Sequence, residues 1–157
     1  MKRKRIRSPS KSEARARARK KAKRHDRALN VLASNLSLLQ IKDLKKELLL
    51  AGPFLKPHLG GGEEETGDLI FVWKVPCSKT FEVVVVEFTF SPFRSTDYDF
   101  KRLDKTFFLL SLIWERWFDK LKIELKESYS LFFRPVSVSL AAGDWSVVEG
   151  KRRQIFP

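Results

Sequence analysis

Fourteen Lys and Arg residues within the first 27 positions are the densest chemistry in this sequence. They are Lys2, Arg3, Lys4, Arg5, Arg7, Lys11, Arg15, Arg17, Arg19, Lys20, Lys21, Lys23, Arg24 and Arg27, opposed only by Glu13 and Asp26. This stretch carries a net +12 of the chain's +13, so residues 28–157 are nearly neutral at +1. Each phosphate that such an arm neutralises releases counterions, which supplies roughly micromolar, salt-sensitive binding to RNA or DNA. The clusters Lys2–Arg5 and Arg19–Arg24 have the spacing that a nuclear import receptor also reads. On a helix Arg15 and Arg19 lie one turn apart, as do Lys20 and Arg24, so one helical arm can line a groove with cations. Ser8-Pro9 beside Arg7 is a site for a proline-directed kinase, and a phosphate there would subtract roughly 1.5–2 charges from the arm.

Catalytic chemistry is not expected. A metal nuclease of the common sheet-borne kind sets one acid on a strand and an acid-x-Lys on the next. Glu82 is followed two residues on by Val84, and Glu87 by Thr89, so the Lys is missing from both. Asp97, Asp99 and Asp104 fit the capping and dipole preferences of a helix start. Cys77 falls in a turn, His25 in the arm and His58 in a loop, which builds no nucleophile and base pair. One Cys and two His cannot complete a four-ligand zinc site, and no disulfide framework is possible. Gly60-Gly61-Gly62 is followed by Glu63-Glu64-Glu65 rather than Lys-Ser/Thr, so it is no phosphate loop. No metal and no cofactor are expected. Trp114 and Trp117 read as core; Trp73 and Trp145 sit on strands, where an indole packs inside or stacks a base.

The elements that hold these residues follow from periodicity. Ser10 with Glu13 forms a capping box, and Ala14, Ala16, Ala18 and Ala22 favour a helix from about 11 to 36, basic first and apolar-faced later. Leu38, Ile41, Leu44 and Leu48 predict a second helix over about 38–51, ended by Gly52 and Pro53. Residues 53–67 read as a flexible loop. Two β-rich runs, Leu69–Val75 and Phe81–Phe90, suggest a hairpin. In the second run Val84, Val86, Phe88 and Phe90 share one face while Val83 and Val85 occupy the other, so both faces should be covered. Phe100, Leu103, Phe107, Leu110, Trp114, Trp117 and Leu121 make a long central helix, running to about Glu127, whose 3–4 spacing also permits a homodimer seam. Pro135–Leu140 and Trp145–Val148 suggest a C-terminal hairpin. The expected fold is α+β: a disordered or helical basic arm (1–27), a helical segment with two short helices (28–52), the loop, and an α+β domain (68–157) with a long helix between two β-hairpins.

The charged start lacks the apolar stretch of a signal peptide, and the longest apolar run, Phe107–Trp114, is short of the ~18 residues of a membrane span. Residues 38–52, with Leu44-Lys45-Lys46-Glu47-Leu48 and then Gly52, resemble the first helix of a SAP domain, a small DNA-binding module. A basic arm ahead of a small aromatic-rich α+β domain also resembles, at class level, small viral structural or accessory proteins; no Pro-Pro-x-Tyr or Pro-Thr-Ala-Pro budding motif is present. These features imply a non-enzymatic nucleic-acid-binding protein of the nucleus, or of a host nucleus or virion, with a domain for assembly or partners. The alternative is a membrane-peripheral, matrix-like structural protein whose arm lies on anionic lipid.

Overall fold

Ser10 and Glu13 start the first helix as their spacing predicts. The Ser10 hydroxyl accepts the Glu13 amide and the Glu13 carboxylate accepts the Ser10 amide, which completes the capping box of α1 (Lys11–Ser34). The computed structural model describes residues 10–59, 66–90 and 96–155. Lys2, Arg3, Lys4, Arg5, Arg7 and Ser8, and most of the glycine–glutamate loop, lie outside the described residues. Within α1, only Ala28, Leu29 and Leu32 are buried, so the second half docks and the first half does not.

Residues 38–51 do not form the expected second helix. Two short 3-10 turns, Leu36–Leu39 and Lys46–Leu48, lead into a strand, β1 (Leu49–Leu55). Gln40 and Asp43 take φ values of 56° and 65°, and an α-helix does not continue through left-handed residues. The leucine-rich pattern suits either state, and tertiary demand chose between them. β1 covers the edge of the next strand, while Leu39 and Ile41 fill the core below. Gly52 is therefore not a helix cap. It has φ 89°, and a Cβ there would sit 2.8 Å from the Ile70 carbonyl oxygen.

The remaining elements are β2 (Leu69–Lys74), β3 (Thr80–Thr89), α2 (Thr96–Leu121), β4 (Ser130–Ala141), β5 (Asp144–Glu149) and β6 (Arg153–Ile155). They correct the two-hairpin expectation. The strands form one mixed six-stranded sheet in the order β1-β2-β3-β4-β5, with β6 also paired to β4. β3 and β4 run parallel in continuous register from Thr80 opposite Ser130 to Thr89 opposite Ser139, and α2 is the crossover between them. A strand apolar on both faces belongs in the middle of a sheet, with neighbours on both edges and cover on both sides. A parallel neighbour in turn requires a long connection such as α2.

The result is three layers. On one face Ile70, Val72, Val83, Val85 and Phe133 meet Leu103, Leu110, Trp114 and Phe118 of α2. On the other, Phe71, Trp73, Val84, Val86 and Val136 meet Leu29 and Leu32 of α1 together with Leu39. The alternation read from residues 83–88 is the one that places these side chains.

Candidate functional site

Every residue from Lys11 to Arg24 is exposed. At about 1.5 Å per residue, this half of α1 extends roughly 20 Å. Its last turn is where contact with the sheet begins: the Arg24 guanidinium lies 5.2 Å from the Phe90 ring centroid, and Lys56 donates to the Asp26 carboxylate at 2.8 Å. That hydrogen bond from Lys56 holds the Asp26 carboxyl below its ordinary range. At about 100° per residue, Lys11, Arg15, Arg19, Lys23, Arg27, Lys20, Arg24, Arg17 and Lys21 spread over roughly 280° of the circumference. The only apolar side chains among residues 11–24 are alanines. The structure thus presents Arg15, Arg17, Arg19, Lys20, Lys21, Lys23, Arg24 and Arg27 as one exposed helical array of cations.

At the foot of this array lies a group that the sequence did not bring out. Asp68, just before β2, is 7% exposed and Glu87, on β3, is 3% exposed. The register that pairs Leu69 with Val86 sets Asp68 opposite Glu87 one step further on. Burial, followed by the neighbouring Asp68 charge, pushes the Glu87 carboxyl up to about 8, with Arg102 opposing. Glu87 is thereby held toward its neutral form beside Asp68. The Arg102 Nε is 3.8 Å from Glu87. The Phe88 amide donates to Asp68 at 2.7 Å, and His25 Nε2 lies 3.3 Å from the Phe88 carbonyl oxygen and 3.7 Å from Asp68. Thr89 stands two residues beyond Glu87, where an acid-x-Lys pattern would have Lys. Among the described residues no group of three or more His, Cys, Asp and Glu forms a metal-holding cluster. The sequence does not single out Asp68, which falls between the loop ending at residue 67 and the β-rich run starting at Leu69. Its signal is the register itself, which the alternation of residues 69–74 and 80–87 could have supplied.

A second polar network lies on the α1-facing side of the sheet, opposite to the side on which Glu87 meets Arg102. Glu82, 1% exposed, accepts from the Trp73 indole at 2.9 Å, from Arg134 at 3.1 Å and lies 2.6 Å from the Arg152 Nε. Arg134 also reaches Glu149 at 2.8 Å. Burial opposes the Arg134 charge, yet the two carboxylates more than offset this and hold its pKa above the ordinary value. Arg152 stacks on the Phe132 ring at 3.9 Å. These groups border a cleft of about 350 Å³ with Lys42 and Asp43, where the positive and negative charges balance. Trp73 is thus a buried hydrogen-bond donor and not a stacking platform; Trp145 is half-buried against Phe88. Trp114 and Trp117 are in the core as expected.

Two of the acids read as helix-start residues make tertiary contacts. Asp99 is buried and accepts the Ser137 hydroxyl at 2.9 Å, and Asp104 pairs with Arg153. Cys77 is exposed in the turn between β2 and β3, and His58 is exposed. No helix among the described residues is long and apolar enough to cross a membrane. Comparison of the chain with protein-family models, curated proteins and solved structures found no match.

Proposed function

We propose that this protein binds RNA or DNA through the basic half of α1, with the sheet domain holding that helix in place. The observation that carries this reading is the distribution of cations around most of the exposed helix. A helix lying on a lipid surface needs a broad face of large apolar side chains opposite its basic face, and residues 11–24 offer only the narrow stripe Ala14, Ala18 and Ala22. A helix set in a nucleic-acid groove meets phosphates on both sides, and this array suits that environment. The basic clusters also suit recognition by an import receptor, so the proposed site of action is the nucleus, or a host nucleus or virion for a viral protein.

The test is binding of labelled RNA and duplex DNA by the full chain, measured by fluorescence anisotropy across a salt series. Arg15, Arg19 and Lys23 define one side of the helix; Arg17, Lys21 and Arg24 define the other. Changing either triplet to Gln is expected to weaken binding by a similar factor, and to lower the slope of log K against log salt by roughly 2–3. Loss confined to one triplet would favour a flat anionic surface, and unchanged binding in both would reject the reading.

A second reading rests on the Asp68 and Glu87 pair. Mg²⁺ or Mn²⁺ is commonly held by one or two carboxylates together with substrate phosphates; Asp68 lies 3.7 Å from His25 of α1, with Glu87 beside it on the α2-facing side of the sheet. In that reading Asp68 and Glu87 would hold the cation, which would neutralise charge on a phosphodiester bound by the helix. Mn²⁺ should then raise the melting temperature at pH 8 in the wild type and not in Glu87→Gln. No shift would dismiss it.

A further inference from the structure

The solvent face of α2 carries two large apolar side chains that the described residues leave largely uncovered: Phe108 is 62% exposed and Leu112 is 82% exposed. They stand one helical turn apart on the same side, while the opposite side of α2 buries Leu103, Leu110, Trp114 and Phe118 against the sheet. Along the exposed face Lys101 and Lys105 precede this pair, and Glu115 and Asp119 follow it; all four are exposed. Asp104, beside them, is already paired with Arg153 of its own chain.

We infer that this face is where two copies of the chain meet, with their α2 helices antiparallel about a two-fold axis. An antiparallel copy that lays Phe108 against Leu112 also brings Lys105 beside Glu115 and Lys101 beside Asp119, each of these contacts occurring twice. The parallel arrangement would set like charges side by side. Arg116 lies at the rim, where its long stem keeps its charge in water. Two apolar side chains per copy make a small interface, so the dimer is weak and depends on concentration.

Sedimentation velocity of the nuclease-treated full chain, from about 5 to about 500 μM in about 0.15 M salt, tests this. The expected result is a reversible monomer–dimer equilibrium. Leu112→Glu, at a position that contributes nothing to the core, should weaken it by roughly tenfold or more with an unchanged circular-dichroism spectrum. Lys105→Glu and Glu115→Lys should each weaken it, and the double variant should recover most of the loss. A chain that stays monomeric throughout, or a Leu112→Glu protein that dimerises as before, overturns the inference. A double variant no tighter than the single ones overturns the antiparallel arrangement.

Discussion

Asp68 and Glu87 face one another across adjacent antiparallel strands, both buried, and burial together with the Asp68 charge pushes the Glu87 carboxyl up to about 8. The folded chain holds the Glu87 proton up to about pH 8, whereas an unfolded chain releases it near 4.5. Folded protein therefore binds more protons than unfolded protein between those values, and stability falls as pH rises from about 4.5 to about 8. Above that window the loss is complete. Glu87→Gln keeps the shape of the protonated group and removes the titration. In EDTA it should raise the melting temperature at pH 9 by several degrees and change it little at pH 4.5, with about 2–4 °C expected per kcal/mol. Equal melting curves at pH 9 would show that Glu87 titrates normally.

Glu82 answers to the opposite logic, because its charge is compensated. Trp73, Arg134 and Arg152 all converge on it from within or beside the sheet. Removing the carboxylate in Glu82→Ala leaves the half-buried Arg134 without its main partner, and the expected cost is about 3–5 kcal/mol. Trp73→Phe removes one hydrogen bond and part of a buried ring, and should cost less. Chemical denaturation of the two variants checks the order, and an equal or smaller loss in Glu82→Ala would show that the network adds little.

Leu32 is wholly buried between α1 and the sheet. Leu32→Ala should cost about 2–5 kcal/mol, and hydrogen exchange should accelerate in residues 25–34 before it does in β3. Val31→Ala, one residue earlier and 52% exposed, should be nearly silent. Parallel effects in both would mean that the docked half of α1 packs on another face.

The two proposals together make a joint prediction about geometry. α1 and α2 cover opposite faces of the sheet, so a dimer formed through α2 carries its two basic helices on its outer faces. The full chain should then bring two separately labelled duplexes together, visible as energy transfer between them. Leu112→Glu should abolish that transfer while leaving affinity for a single duplex within about twofold. Transfer that persists in the variant would show that one copy bridges unaided.

What the sequence determined by itself was local. The capping box at Ser10 and Glu13, the charged first half of α1 and its apolar second half, and the two-sided cover of residues 83–88 all depend on neighbours a few positions apart. Such patterns survive in any fold that uses the segment. Tertiary structure decided the rest. Residues 49–55 became a strand because β2 had an open edge, although their leucines suited a helix equally well. Residues 130–141 joined β3 in parallel because a strand apolar on both faces needs a neighbour on each edge. Asp68 came to face Glu87, and Trp73 to donate to Glu82, because strand register is a long-range property. A shift of one residue would have turned each of those side chains to the other face.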